Sequence, residues 1–290
     1  GARALVLMAK ETAQSSPEHL LQRAVAALNQ QRPKEAEAIA GEVLKVHSRH
    51  PQALLIFSHA LQMQGRAEDA IAALEPAARS EPHPQIETQL GVALRSAGRP
   101  EDALSWLERA TKRTPPFPPA FYELGCLLAT LKRHREAAAV LGRGRELAPM
   151  VPDFSVQLGH VLLALRDCAP AKVAFARAIE IAPNSPGALW GMGKAHQMLG
   201  ENRLALDYFR RCLAHSPNDV GLWLNLGHCL LELGELEAGR EWLRKAARRD
   251  PKGYSGALTT IVKSARGRFW LKPSTAAQFL RGQSPEPPKR

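Results

Sequence analysis

Cysteine, aromatic residues and long apolar runs are all scarce in this chain of 290 residues, and each scarcity removes a class of protein. The four cysteines, Cys126, Cys168, Cys212 and Cys229, form no Cys-x-x-Cys pair, so they build neither a disulfide framework nor a zinc ribbon. No apolar stretch approaches the roughly 20 residues that cross a bilayer, and the run from Ala4 to Ala9 is too short for the core of a secretory signal. A soluble, cytoplasmic protein with reduced thiols and no transmembrane segment is expected. Aromatic residues make up 6% of the chain and β-branched residues are also few, while alanine and leucine dominate, a composition that favours helices over sheets.

Catalytic signatures are missing too. No His-Glu-x-x-His, Gly-x-Ser-x-Gly or Cys/His arrangement stands out. The run Gly187 to Lys194 imitates a phosphate loop, but its glycine spacing is wrong, and Ala195 stands where a serine or threonine must hold magnesium. The chain is therefore expected to be no enzyme and to need no cofactor.

What is present is a period. Leu124-Gly125, Leu158-Gly159 and Leu226-Gly227 recur at 34 residues or a multiple of it, and Met192-Gly193 fills the missing register. The frame tiles residues 17–50, 51–83, 84–117, 118–151, 152–185, 186–219 and 220–253. Large residues at positions 4, 7 and 11, such as Leu54, Leu124 and Leu162, make the stripe of a first helix. Position 8 is always small (Ala24, Ser58, Gly91, Gly125, Gly159, Gly193, Gly227), although glycine costs about 1 kcal/mol inside a helix, which points to a close helix approach. A second helix is marked by alanine at position 20 and an apolar residue at position 24, among them Leu107, Leu141, Phe175 and Phe209. Proline at position 32, from Pro82 to Pro251, ends each unit, with Ser48 the exception. Pro76 falls inside a second helix and is expected to kink it.

This pattern resembles the tetratricopeptide repeat family over residues 17–253. The resemblance implies an all-α fold: a right-handed superhelical solenoid of antiparallel helix pairs with C-terminal capping helices. It also implies a protein or peptide partner on the first helices. The 35-residue period of the RNA-reading pentatricopeptide arrays does not fit.

On an ideal first helix, positions 5, 9 and 12 form a second stripe, rotated roughly 115° from the core stripe. It runs from Leu21, Val25 and Leu28 in the first unit to Leu224, His228 and Leu231 in the last. The peptide-binding groove is expected to involve Leu55, His59, Tyr122, Cys126, Val156, His160, Trp190, Lys194, Leu224, Asn225 and His228. Tyr122 and Trp190 are the expected anchors, because large aromatics are favoured at interfaces. The competing expectation is that packing between neighbouring repeats buries many of these side chains. His59, His160 and His228 share position 9 but belong to repeats two or more apart, near 20 Å, too far to share a metal ion. Chaperone-tail binders of the family clamp a carboxylate with Lys, Asn and Arg at positions 2, 5, 6 and 9. Here Leu21, Leu55, Thr88 and Gln89 occupy such places, and an asparagine ladder at position 6 is reduced to Asn225.

The net charge of +11 is uneven: residues 240–290 hold 13 lysines or arginines against 3 acids, leaving the rest near neutral. Residues 254–282 are read as basic capping helices, one from Tyr254 to Arg266 and a shorter one from Pro273 to Arg281. Phe269, Trp270, Phe279 and Leu280 are expected to fold back on the last repeat. Arg248, Arg249, Lys252, Lys263, Arg266, Arg268 and Lys272 form a basic patch for an anionic partner, an acidic protein ahead of nucleic acid or a membrane surface, since few aromatics are interleaved for stacking. Residues 1–16 are read as an extension, the part before Met8 as an upstream remnant, and 283–290 as a Pro-rich disordered tail. Two functions follow: a freestanding adaptor that binds an apolar or amphipathic peptide, or the regulatory or substrate-recruiting segment of a transferase or hydroxylase whose catalytic part lies elsewhere.

Overall fold

The computed structural model describes residues 16–249, 251–263 and Leu280. Among the described residues there are fifteen helices and no strand. They are α1 (Pro17–Asn29), α2 (Pro33–Val46), α3 (Pro51–Met63), α4 (Ala67–Ser80), α5 (Pro84–Ser96), α6 (Pro100–Thr111), α7 (Pro118–Thr130), α8 (His134–Leu147), α9 (Pro152–Ala164), α10 (Cys168–Ile181), α11 (Pro186–Met198), α12 (Asn202–His215), α13 (Val220–Leu233), α14 (Leu236–Arg249) and α15 (Pro251–Lys263). The chain divides into two compact units, residues 1–148 and 149–290. In each, odd-numbered first helices pack against the even-numbered second helix that follows.

Local sequence sets the helix ends. Pro17, Pro51, Pro84, Pro118, Pro152 and Pro186 each open a first helix, where the missing N–H costs nothing and the ring pre-sets φ. The turn inside every pair places one residue in the left-handed region: Gln31, Gly65, Gly98, Lys132, Arg166, Gly200 and Gly234, with φ from 58° to 86°. The next residue closes the turn, its amide donating to the carbonyl five residues back, as from Arg32 to Ala27 and from Glu235 to Leu230, both at 2.9 Å. Continuing the helix past Pro76, α4 reaches Ser80.

The small-to-large pairing across each hairpin is direct. A Cβ added to Gly91, Gly125, Gly159, Gly193 or Gly227 would stand 2.5–2.7 Å from Leu107, Leu141, Phe175, Phe209 or Leu243, respectively. Only hydrogen fits there, and all five large partners are fully buried. In the first pair both positions are alanine, Ala24 and Ala40.

Two buried residues at position 4, Ser155 and Glu87, break the apolar pattern. Glu87, where other pairs have Leu54, Phe121 or Trp223, is fully buried, and its carboxylate accepts from Arg113 at 2.6 and 3.0 Å and from Arg109 at 3.2 Å. Those two guanidinium groups supply the neutralisation that a buried carboxylate requires.

At the other end, α15 packs against both α13 and α14, in the place of a further first helix. Ala257, Ile261 and Leu280 join Leu231 and Leu243 in one cluster, so Leu280 folds back as expected. Phe269, Trp270 and Phe279, the extension before Ser16 and the tail 283–290 lie outside the described residues. No described helix is long and apolar enough to cross a membrane.

Candidate functional site

In the first unit the first helices lie side by side, α1 on α3, α3 on α5 and α5 on α7. Their shared face holds a groove of about 500 Å³. Val25 and Leu28 of α1, Leu55 and Ile56 of α3, Val92 of α5 and Phe117 before α7 supply apolar walls. Asn29, His59, Gln85, Thr88, Gln89 and Glu123 supply polar groups, and Pro119 completes the lining. The one carboxylate among these residues, Glu123, is already engaged, accepting from Arg95 at 2.8 Å. The groove thus combines a neutral apolar surface with amide side chains able to donate and accept.

The structure brings Leu55 and His59 together in this groove. Tyr122 and Cys126 sit on α7, half-buried and outside its lining. Burial, and then the nearby Glu123 carboxylate, push the Cys126 thiol up to about 11, so it stays protonated and a poor nucleophile.

The remaining expected residues belong to the second unit. Val156 on α9 is 8% exposed and packs against Ala178 of α10 and Ala188 of α11. Half-buried Trp190 lies against the cluster around Leu189, Leu206 and Phe209, its ring 5.7 Å from that of His160. His160 in turn meets Phe175 edge-on at 5.1 Å. Leu224 packs against the α15 cluster, with Asn225 and His228 half-buried beside it in sequence. Lys194 donates to Gln197 at 2.7 Å, and Gln197 reaches the Cys229 sulfur at 3.7 Å. Burial holds Lys194, His160 and His228 below their ordinary pKa values and pushes the Cys229 thiol up to about 11.

Position 9 is the one part of the expected stripe that stays open or half-open in every pair: Val25, His59, Val92, Cys126, His160, Lys194 and His228. Positions 5 and 12 are often consumed by packing, as at Leu21, Val156, Leu163 and Leu231. The groove adds positions 2, 6 and 13, namely Gln85, Pro119, Ile56, Gln89, Glu123 and Asn29. At about 100° per residue, the face through 2, 6, 9 and 13 is rotated roughly 60° from the face through 5, 9 and 12. Clustered amides at positions 2, 6 and 13 (Gln85, Gln89, Asn29) were the available signal.

Of the basic patch, Arg248 and Arg249 in the last turn of α14 and Lys252 in the first turn of α15 are exposed. Lys263 ends α15, and Arg266, Arg268 and Lys272 lie outside the described residues. Among the described residues, no three His, Cys, Asp or Glu side chains are grouped to hold a metal ion.

Sequence models of the tetratricopeptide repeat match residues 17–42, 57–118 and 199–260, together more than half of the chain. The chain belongs to the tetratricopeptide repeat family. Solved structures share the TPR fold at low identity. The chain is similar to pilF of Pseudomonas aeruginosa at 16% identity and a TM-score of 0.61, covering 72% of this chain and 94% of that one. TTC0263, a thermophilic TPR protein of Thermus thermophilus, gives 23%, 0.53, 63% and 100% for the same four measures. For YrrB, described as a TPR protein with an unusual peptide-binding site, they are 19%, 0.50, 62% and 93%. No curated protein matches the chain. TPR repeats are generally non-catalytic, and membership of the family supports a protein-interaction scaffold.

Proposed function

We propose that this TPR protein is a non-catalytic adaptor whose groove on α1, α3, α5 and the start of α7 holds an apolar or amphipathic segment of a partner protein. The groove itself is the observation that carries this. Its volume, about 500 Å³, falls within the roughly 300–1,000 Å³ common to ligand sites. Val25, Leu28, Leu55, Ile56, Val92 and Phe117 offer a surface for apolar side chains, and Asn29, Gln85 and Gln89 can bond the peptide backbone between them. No lysine or arginine lines it, so a terminal carboxylate finds no fixed positive charge there. Peptide is also the ligand class to try first because YrrB, of similar fold, is described by its peptide-binding site. A cytoplasmic setting is part of the proposal, and four free cysteines are in keeping with it.

Selection of phage-displayed peptides against the protein tests the reading. Recovered peptides should share spaced apolar residues and lose about tenfold or more in affinity toward Leu55→Glu/Val92→Glu, which buries two charges under the peptide. Failure to enrich any peptide, or enriched peptides indifferent to that double substitution, overturns the proposal.

A further inference from the structure

The outer helices of the second unit carry a feature that the groove does not use. At position 26 of the frame stand Arg177 on α10, Arg211 on α12 and Lys245 on α14, all exposed, one cation per helix pair. The first helices α11 and α13 lie between α10, α12 and α14, so the cations repeat once per helix pair along this side of the unit. Two of them are held in place by the protein. Arg211 donates to the Pro183 carbonyl at 3.2 Å, and its guanidinium lies 5.5 Å from the centre of the Tyr208 ring. The Lys245 ammonium lies 4.3 Å from the ring centre of Trp223 and 5.0 Å from that of Trp242. Such contacts restrict each long side chain in advance, so less entropy is lost when it engages an anion.

Arg211 and Lys245 also differ from most exposed arginines of the first unit in having no acid of their own. There, Arg32, Arg66, Arg99 and Arg133 each pair with a carboxylate three residues on, at 2.6–2.7 Å. In the second unit Arg177 pairs with Glu180 at 3.1 Å, at an exposed site worth little. Arg211, Lys245, Arg248, Arg249 and Lys252 form no ion pair among the described residues. Favourable interaction with the helix dipole accounts for Arg248 and Arg249 in the last turn of α14, but Arg211 and Lys245 stand a turn earlier, where that effect has faded.

The pattern around them selects the kind of partner. Glu180, Asp207 and Glu241 lie within about one helical turn of the three cations, so a uniformly anionic surface would meet repulsion between them. The aromatic faces that a nucleobase would stack on are covered by the protein's own cations. Discrete, spaced carboxylates suit the surface. We propose that the outer face of α10, α12 and α14 is a second docking surface, for an acidic segment of a partner protein whose carboxylates engage Arg177, Arg211 and Lys245 from successive helix pairs.

The test is fluorescence anisotropy with a labelled peptide of alternating glutamate and alanine. Binding is expected at low salt and is lost at about 0.5 M salt, where screening is strong. Arg211→Glu/Lys245→Glu should weaken it about tenfold or more, while Arg211→Lys keeps most of it. Arg23→Glu/Arg135→Glu makes the same change in charge at two exposed residues of the first unit and should leave affinity within about twofold. Circular dichroism establishes that both double variants fold, and groove-selected peptides should bind Arg211→Glu/Lys245→Glu normally. Three results overturn the proposal: no binding of the acidic peptide at low salt, equal weakening by both double substitutions, or tighter binding of an oligothymidine strand or a phosphatidylserine vesicle that is itself abolished by Arg211→Glu/Lys245→Glu.

Discussion

Phe175 is pinned between two glycines, and that arrangement makes Gly159→Ala an informative perturbation. A methyl at Gly159 would stand 2.6 Å from two carbons of the Phe175 ring, and one at Gly191 only 2.2 Å from the same edge. Ordinary contact begins near 3.4 Å, so the ring must retreat by about 1 Å in a fully buried site with no void to receive it. Overpacking of that size costs about 1–3 kcal/mol. Alanine's better helix propensity returns about 1 kcal/mol, leaving a net loss of up to about 2 kcal/mol. In a Phe175→Ala background the clash is gone, and Gly159→Ala should stabilise by up to about 1 kcal/mol. Urea titrations followed by helical circular dichroism measure all four proteins, with equal slopes as the check that the comparison holds. If Phe175→Ala proves too unstable to study, Phe175→Val gives the same sign at smaller amplitude. A stabilising Gly159→Ala in the parent protein, or the same effect in both backgrounds, refutes the reasoning.

Three further outcomes are expected. Glu87→Ala should cost about 2–3 kcal/mol, because it leaves a cavity at a fully buried position and removes the hydrogen bonds that tie Arg109 and Arg113 to it. Glu87→Leu should cost less than half of that, since it restores apolar packing and both arginines can turn to water; thermal melts decide. Arg166→Gly should raise stability by about 0.5–1 kcal/mol, the left-handed strain relieved less the entropy gained by the unfolded chain, and Gly98→Ala should do the opposite in the same urea assay. Burial holds His160 and His228 below the ordinary value of 6.5, so the unfolded chain takes up protons first as pH falls. Stability is therefore full above about 6.5 and declines below it, and a His160→Leu variant should lose less melting temperature than the parent between neutral and mildly acidic pH.

The helices and their core contacts were legible because they are written in short-range pattern. Glycine at position 8 and a large residue at position 24 announce one contact in five pairs, and the structure shows that contact as Gly125 under Leu141 or Gly193 under Phe209. Other local devices went unread although they recur as regularly. A proline at position 1 opens six first helices, and a left-handed residue at position 15 is glycine in four pairs but Gln31, Lys132 and Arg166 in three, which hides the pattern. The open surface was less legible, and for a different reason. A helical wheel separates core from surface within one helix, but the next helix pair decides which surface positions survive. Thus Val156 and Leu231 fall on the expected stripe yet are covered, whereas Gln85, Gln89 and Asn29 lie off it and line the groove. Trp190, expected as an anchor from its size, is half-buried beside His160 and the neighbouring core.

Photo-crosslinking of a selected peptide tests the adaptor reading most directly. With a benzophenone on one apolar position of the peptide, crosslinks mapped by mass spectrometry should fall on Val25, Leu55, Ile56 and Val92 and disappear in Leu55→Glu/Val92→Glu. Crosslinks concentrated on Trp190 and its neighbours, or on the outer helices, would contradict it.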